Sequence, residues 1–213
     1  MRIIKDNTFF AISLFLWFLY TAYTVTISCT EYNNLHQIKW KQAENQSRYS
    51  SSFRYGSMTY NFVKDSVRIS RKYPGLCYGI NTWYWGINKK EREVDISFYI
   101  HDQDFDKVKN KQVIHRKSFT GSQLNQLESV PFFGLRPYNE VPNKFLLMLD
   151  VWKYNYTFLA FLIFLPIGFL LQKLVQKSNR IKIVETTANT KFDTILGYCF
   201  AILAIINIIN FII

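Results

Sequence analysis

Three long apolar blocks interrupt an otherwise polar chain. They run from Phe9 to Ser28, from Tyr156 to Val175 and from Thr194 to Ile213. A helix rises about 1.5 Å per residue, so a block of about 20 residues crosses a hydrocarbon layer roughly 30 Å thick. A soluble domain of this size could not hide helices that are apolar on every face. The pattern therefore predicts three transmembrane helices.

The second block has the clearest borders. Trp152 and Tyr154 precede it, and Lys173 and Lys177 lie at its far end, which is the aromatic and cationic border of a membrane helix. The predicted class is an integral membrane α-helical protein with three transmembrane helices and a mostly β (α+β) extramembrane domain inserted between helices 1 and 2. The predicted divisions are a tail at 1–8, helices at 9–28, 154–175 and 193–213, the domain at 29–153 and a basic loop at 176–192.

Alternation of apolar and polar residues predicts strands in the domain. The clearest strand is Val94 to His101, in which Val94, Ile96, Phe98 and Ile100 share one face. Dense aromatic and β-branched residues also favour extended structure from Phe53 to Ser70.

Composition assigns the remaining stretches of the domain. Pro and Gly indicate turns, and a Thr followed by Gln three residues later indicates a helix start. We expect a linker or short helix at Thr30 to Ser52, a turn at Lys72 to Gly75, a strand at Gln112 to Phe119, a short helix from Thr120 to about Ser129 and a buried strand at Asn143 to Trp152.

The charge of the chain narrows its partners. The 213 residues carry a formal charge of +11, and 19 of the 26 Lys and Arg residues fall in the 29–153 segment against 12 acids. Such a domain suits anionic headgroups or an acidic protein surface, although a solvated face is the plainer interpretation. No recognition motif accompanies the charge, so nucleic acid is not expected. The expected partners are the lipid bilayer and another membrane protein subunit or a second copy of the chain.

Cations in the short loop set the expected orientation. The loop after the second helix and its borders carry five cations against Glu185, and the amino-terminal tail carries two more; these are Lys173, Lys177, Arg180, Lys182, Lys191, Arg2 and Lys5. Short loops rich in Lys and Arg remain in the cytoplasm. We therefore expect a multi-pass protein whose domain is extracytoplasmic.

The cysteines leave two alternatives open. Cys29 and Cys77 fall on the same side of the predicted membrane, so they could form a disulfide in an oxidising compartment or remain two free thiols. The end of the first block, Thr26 to Cys29, also resembles a lipoprotein cleavage box. That box requires Leu, Val or Ile where Thr26 stands, so we expect an uncleaved anchor.

Polar and small residues inside the apolar blocks predict helix packing. Asn207 and Asn210 lie on one side of the third helix, and an amide in hydrocarbon requires a partner. Gly197 and Ala201 would let another helix approach closely. The expected partner is the first helix, which offers the hydroxyls of Ser13, Thr21 and Thr24. Contact of the two amides with headgroups is the alternative.

Two residues of the second helix predict a bend. Pro166 removes a helix hydrogen bond beside Gly168, so we expect a kink there.

Trp83, Tyr84 and Trp85 are candidates for a membrane or ligand surface, or for half-buried strand positions.

No motif predicts catalysis, a cofactor or a metal. Asp102, Asp104 and Asp106 have the spacing of half a calcium loop, but Lys107 and Val113 stand where that loop needs Gly and Glu. We therefore expect no enzyme activity, no cofactor and no metal. The predicted function is a non-enzymatic role in which the extracytoplasmic domain binds or assembles with another envelope component, as an accessory subunit or an immunity or exclusion factor. The alternative is a cytoplasmic ligand sensor that signals through the helices.

Overall fold

The computed structural model describes most of the chain, and it has a mixed α+β fold. The described residues are 2–5, 7–50, 57–65, 67–74, 91–110, 129–157, 160–177, 181–184 and 190–212. The chain forms two compact units. The helical unit comprises Met1–Ile27 and Tyr154–Asn210, and the sheet domain comprises Ser28–Lys153, with Phe211–Ile213 grouped with it.

Five helices and nine strands lie within the described residues. In chain order they are β1 (Arg2–Lys5), α1 (Asn7–Asn33), β2 (Leu35–Asn45), β3 (Arg48–Ser50), β4 (Ser57–Lys64), β5 (Val67–Pro74), β6 (Glu93–His101), α2 (Asp102–Lys109), β7 (Ser129–Val130), β8 (Phe133–Pro137), α3 (Lys144–Asn155), α4 (Ala160–Lys177), β9 (Ile181–Val184) and α5 (Thr190–Ile212).

The helical unit packs α4 antiparallel to α1. Near the start of α1 the Phe9 carbonyl closely approaches Gly168 of α4. Further along α1, the Tyr20 ring lies 5.5 Å from the Phe164 ring, measured between centroids. The contact position therefore moves backwards along α4 as it moves forwards along α1. A parallel pair of short strands, β1 and β9, completes the unit.

The helical unit buries several polar side chains beside apolar ones such as Leu14 and Leu203, and it exposes many large apolar side chains. Ser13, Thr21, Thr24 and Asn207 are buried, whereas large apolar side chains on all three helices are exposed; these include Phe15, Phe18, Leu162, Phe169, Leu170, Ile195, Ile202 and Ile205. By length and composition, α1 over Thr8–Asn33 and α5 over Lys191–Ile209 could cross a membrane. Core helices of soluble proteins and signal sequences can satisfy the same criterion.

The sheet domain is built on one sheet with the strand order β7-β5-β4-β2-β6-β8, and β3 pairs with β4 beside it. Neighbouring strands are antiparallel except β5 and β7, which are parallel. The apolar core contains fully buried side chains from five of these strands and their connections, including Ala43, Met58, Phe62, Ile69, Ile96, Phe98, Phe132 and Leu135.

Alternation correctly identified the central strands. Val94, Ile96, Phe98 and Ile100 are all buried on β6, as predicted. The extended structure expected from Phe53 to Ser70 is confirmed where the structure describes it, by β4 and by β5. The turn expected at Lys72 is wrong for the described residues, because β5 continues through Pro74 in full register with β4.

The prediction of a linker or short helix at Thr30 to Ser52 is also wrong. The first four residues of this stretch end α1, and most of the remainder forms β2 and β3. Trp40 points into the domain core, where its ring meets the Phe98 ring edge-on at 4.9 Å. Apolar Ile38 and Trp40 alternate with polar Gln37, Lys39 and Lys41, which is the period of two that is typical of a strand. The prediction missed this period because it treated Trp40 as an isolated apolar residue.

The stretch Asn143 to Trp152 is a helix and not the predicted buried strand. The Asn143 side chain accepts a hydrogen bond from the Phe145 amide at 2.8 Å, which satisfies a donor of the first helical turn. Leu147 and Val151, four residues apart, are then buried on one face of α3. The charged connection after β6 is likewise helical, as α2. The predicted strand at Gln112 to Phe119 lies outside the described residues, and the predicted helix from Thr120 does so as far as residue 128.

Candidate functional site

A line of buried polar side chains joins the three helices of the helical unit. The Trp17 indole N–H donates to the Tyr156 hydroxyl at 3.0 Å, and that hydroxyl donates to Asn207 Oδ1 at 2.9 Å. All three side chains are at most 5% exposed. Asn207 therefore has a partner within its own chain, and Tyr156, just before α4, connects it to α1. Thr21, one turn beyond Trp17, donates to the Trp17 carbonyl at 3.0 Å.

The two glycines singled out in the helices have different surroundings. A Cβ added at Gly168 would lie 2.5 Å from Ser13 Oγ and 2.8 Å from the Phe9 carbonyl oxygen, so only glycine permits this close approach of α4 to α1. At Gly197 an added Cβ would meet nothing within 4 Å. Gly197 and Ala201 are exposed, so their predicted contact, if made, is with another helix outside the described chain.

The remaining helix predictions have partial outcomes. Pro166 lies within α4, which continues through it as one helix, and the predicted kink stays a prediction. Asn210 belongs to α5, but its side chain lies outside the described part of the structure.

In the sheet domain a buried ion pair attaches α3 to the sheet. Arg71 of β5 and Asp150 of α3 are 3.1 Å apart between Nη2 and Oδ1, with side chains 3% and 2% exposed. Arg71 also donates to the Phe132 carbonyl at 3.0 Å. Asp150 Oδ2 accepts from the Gly134 amide at 2.8 Å and from the Tyr73 hydroxyl at 3.3 Å. We call Arg71, Tyr73, Gly134 and Asp150 the buried clamp.

The buried clamp requires a glycine at position 134. Burial also shifts the pKa values of Tyr73, a member of the clamp, and of Arg136, which interacts with Asp150. Gly134 has a φ of +56°, and an added Cβ would lie 2.6 Å from Leu147 Cδ1 of α3. Burial raises the pKa of Tyr73 well above its ordinary value, and the Asp150 carboxylate adds to the shift while the Arg71 charge opposes it. Burial also lowers the pKa of Arg136, against the attraction of Asp150.

Along most of its length, the edge of β2 that faces away from β6 is paired with no strand that the structure describes. β2 pairs with β6 from Leu35 to Glu44, but within the described residues it pairs with β4 only at Glu44 and Asn45. A bulge between Trp40 and Ala43, where Gln42 has a φ of +52°, separates these two parts. We call Leu35–Lys41 the open edge of β2.

Two surface cavities flank this edge on either side of Lys64 and Asp65, at the tip of the β4–β5 hairpin. One, of about 460 Å³, lies between the open edge and α2 and is lined in part by Ile38, Trp40, Phe105, Val108 and Lys109. The other, of about 840 Å³, lies at the bulge and is lined in part by Lys41, Glu44, Arg92 and Glu93. Lys64 lines both cavities, and its ammonium group donates to the Lys41 carbonyl at 2.6 Å.

The other candidate residues of the domain carry less information. Cys29 and Cys199 form no disulfide with any described residue, while Cys77 and the aromatic residues Trp83, Tyr84 and Trp85 lie outside the described residues. The disulfide and the aromatic surface therefore remain predictions. Asp102, Asp104 and Asp106 lie on helix α2 and not in a loop, and no cluster of potential metal ligands occurs among the residues that the structure describes.

Sequence reasoning missed the partners of the groups it found. Asn207 was identified, but Trp17 and Tyr156 were assigned to the first and second apolar blocks without a polar role. Arg71 and Asp150 were not singled out, although a charged residue within an apolar stretch such as Asn143 to Trp152 is a signal for a buried pair. The open edge of β2 was hidden in a stretch assigned as a linker.

Compared with protein-family models, curated proteins and solved structures, the chain has no significant match. Its function is therefore argued from its own geometry.

Proposed function

We propose that this chain is a multi-pass integral membrane protein with three transmembrane helices, α1, α4 and α5, and an extracytoplasmic sheet domain. In this proposal the domain has no catalytic role. It binds or assembles with another membrane or envelope component, as an accessory subunit or an immunity or exclusion factor.

The exposure of large apolar side chains in the helical unit, together with the burial of polar ones, carries the proposal. Exposing Phe15, Phe169 and Ile202 to water while burying Ser13, Thr24 and Asn207 would be unfavourable in a soluble protein. In a bilayer the same arrangement is favourable, because lipid solvates the apolar side chains, and Thr24 and Asn207 have hydrogen-bond partners within the protein.

The packing of α4 supports a third span. This helix has 18 residues, so it is about 27 Å long, close to the thickness of the hydrocarbon layer. It lies antiparallel to α1, its contacts reach from Gly168 to Phe164, and it exposes Leu162, Phe169 and Leu170. Because α4 packs along α1 and its outer face is apolar, lipid would surround α4 wherever it surrounds α1.

The pairing of β1 with β9 supports the proposed topology. It joins the segment before α1 to the loop between α4 and α5. Both belong to one side of the membrane if α1 and α4 each cross once. The cations of these two segments favour the cytoplasmic side, which would make the sheet domain extracytoplasmic.

Two features of the sheet domain support a binding role. The open edge of β2 offers backbone hydrogen-bonding groups that no described strand uses, and the cavities beside it combine aromatic, cationic and acidic side chains. Partner binding would use such a surface without requiring any reaction.

The proposal is tested by cysteine labelling in intact cells. In a variant in which Cys29, Cys77 and Cys199 are replaced by Ser, a cysteine is placed at Asn139, which is exposed in the sheet domain, or at Lys177, at the end of α4. A membrane-impermeant maleimide should label the Asn139→Cys variant in intact cells and the Lys177→Cys variant only after permeabilisation.

Each result of the labelling has a distinct meaning. Protection of Asn139→Cys together with labelling of Lys177→Cys in intact cells would overturn the orientation and favour the cytoplasmic sensor. Labelling of both positions in intact cells would contradict the third span, because α4 would then not separate the two positions by a membrane.

A further inference from the structure

We propose that the paired strands β1 and β9 bind the anionic headgroup of a phospholipid, and that the headgroup joins the amino-terminal segment to the loop between α4 and α5. We call these two strands the basic ribbon. The inference deepens the proposed function and rests on it, because the neighbouring helices must cross the bilayer for the ribbon to meet headgroups.

The basic ribbon is attached to the ends of all three helices of the helical unit. β1 ends at Lys5 and α1 begins at Asn7, while β9 lies in the connection between Lys177, where α4 ends, and Thr190, where α5 begins. If these helices cross the bilayer, the ribbon lies within a few residues of the hydrocarbon layer. Lipid headgroups are therefore the partner that the proposed topology brings to the ribbon.

The charge of these segments selects an anionic headgroup. Residues 1–6 and 173–191 together carry seven cations and two acids; these are Arg2, Lys5, Lys173, Lys177, Arg180, Lys182 and Lys191 against Asp6 and Glu185. Lys173, Lys177 and Lys191, at the helix ends, are exposed. Cations beside a membrane helix attract anionic lipids, and each raises the affinity roughly fivefold.

The register of the ribbon places two cations from different strands on one face. Lys182 of β9 pairs with Ile3 of β1, and Lys5 is two residues beyond Ile3, so Lys5 and Lys182 share a face. With about 3.3 Å per residue along a strand and about 4.8 Å between strands, their Cα atoms are roughly 8 Å apart. One phosphate group can accept hydrogen bonds from two ammonium groups at that spacing. We call Lys5 and Lys182 the bridging lysines.

The small size of the ribbon gives the headgroup a stabilising role. Among the described residues, β1 and β9 form a sheet of only two strands, with four residue pairs in parallel register. Parallel pairs are less stable than antiparallel ones, and a two-stranded sheet is marginal without further support. A phosphate that binds both bridging lysines removes their repulsion and holds the strands together.

The first test measures which lipid binds to the full chain in non-ionic detergent, by native mass spectrometry. Phosphatidylglycerol is the anionic probe. Phosphatidylcholine, which has the same phosphate but no net charge, is the matched control. We expect phosphatidylglycerol to bind about 100-fold more tightly, from roughly fivefold for each of the three ribbon cations. Equal affinities would overturn the proposal and favour an acidic protein as the partner of these cations.

The second test removes the cations of the ribbon. Arg2→Gln with Lys5→Gln and Lys182→Gln keeps long polar side chains but removes three charges, and it should abolish most of the preference for phosphatidylglycerol. A preference that survives in this triple variant would show that the lipid binds elsewhere.

The control for the triple variant removes the same number of charges from the sheet domain. Lys39, Lys109 and Lys144 are exposed there, and replacing all three by Gln should leave the preference unchanged. Equal losses in the two triple variants would mean that only the net charge of the chain matters, which would contradict a site on the ribbon.

The third test asks whether the headgroup joins the two strands. In the variant without native cysteines, Ile4→Cys and Ile183→Cys place thiols at paired positions of β1 and β9. The rate of disulfide formation in liposomes then reports how often the strands are paired. Phosphatidylglycerol liposomes should give a rate about fivefold higher than phosphatidylcholine liposomes.

The bridging lysines provide the control for this rate. With both replaced by Gln, the two kinds of liposome should give equal rates. No difference between lipids in the parent, or a difference that persists without the bridging lysines, would exclude the bridge. These measurements do not depend on which side of the membrane the sheet domain occupies, so they fail separately from the labelling experiment.

Discussion

In the helical unit the buried polar side chains are neutral and large apolar side chains are exposed, whereas the sheet domain has an apolar core and buries an ion pair. Trp17 of α1 and Asn207 of α5 are connected through the hydroxyl of Tyr156, which lies just before α4. Arg71 and Asp150 connect a helix to a sheet through an ion pair. The two regions show how the surroundings of a buried polar group determine what kind of contact it can make.

The difference follows from the cost of desolvation. A charged pair is stable inside a protein only when additional hydrogen bonds satisfy it, and the domain supplies these from the Gly134 amide and the Phe132 carbonyl. Between helices in a bilayer, a hydroxyl and an amide provide directed contacts at a lower cost.

The largest expected effect is the loss of charge balance in the buried clamp. Asp150→Asn keeps the shape of the side chain but leaves the Arg71 charge buried without its partner. We expect the free energy of unfolding of the sheet domain to fall by about 3–5 kcal/mol. Denaturant unfolding of the full chain in detergent, followed by tryptophan fluorescence, measures the change.

The control for this prediction is an exposed carboxylate. Asp102 pairs with His36 at 2.8 Å, and its side chain is 72% exposed. Asp102→Asn should leave stability nearly unchanged, since water screens such pairs. An Asp150→Asn variant as stable as Asp102→Asn would show that the clamp contributes nothing to stability.

An intermediate effect is expected from the two helix glycines. Gly168→Ala places a methyl group against Ser13 Oγ and the Phe9 backbone, so α4 must move away from α1. We expect a loss of about 1–3 kcal/mol from overpacking. Gly197→Ala is the matched control, because its methyl group meets open space and alanine favours a helix. It should be neutral or slightly stabilising, by up to about 1 kcal/mol.

Thermal melting of the helical unit in detergent distinguishes the two glycine variants. If Gly168→Ala melts no earlier than Gly197→Ala, then α4 does not pack closely against α1 at this position. If Gly197→Ala alone disrupts an oligomer, the exposed face of α5 contacts a helix of another chain.

The smallest expected effect concerns the hydrogen bonds between helices. Asn207→Leu removes the acceptor of the Tyr156 hydroxyl and should lower thermal stability in detergent by roughly 0.6–2 kcal/mol without blocking membrane insertion. Tyr156→Phe should cost at least as much, since it leaves both Trp17 and Asn207 without that hydroxyl.

The double variant tests the connection directly. Because Tyr156 and Asn207 share one hydrogen bond, the loss in Tyr156→Phe with Asn207→Leu should be smaller than the sum of the single losses. Strictly additive losses would mean that the bond does not form. Ile205→Leu, on the exposed face of α5, is the control and should change little.

The sequence was sufficient to predict an element when its apolar residues alternate regularly along one face or form one long block. The strand β6 and the helices α1 and α5 could be placed from sequence, because Val94 to Ile100 alternate regularly and the apolar blocks are long. Asn207 could be singled out because an amide is rare in such a block. These are local signals, and they require no knowledge of the rest of the fold.

The remainder depended on contacts between residues far apart in sequence. Asn143 to Trp152 is as apolar as a buried strand, and only the cap at Asn143 and the partners of Asp150 select a helix. Tyr156 is 139 residues from Trp17 and 51 from Asn207, so no window along the chain contains the polar line. Among the described residues, β4 pairs with β2 only at Glu44 and Asn45, and the sequence of β2 does not encode this limit.

The pairing of β1 with β9 sets an order of events during synthesis. Its register matches Arg2 with Ile181, so about 180 residues separate the two strands. At about 5–20 residues per second, the ribosome delivers β9 roughly 9–36 s after β1. In the proposed topology, α1 is retained during that interval only by its own contact with lipid, and the sheet domain can complete its fold. In that topology β9 can pair with β1 only after α4 has returned the chain to the side of the membrane from which α1 departed.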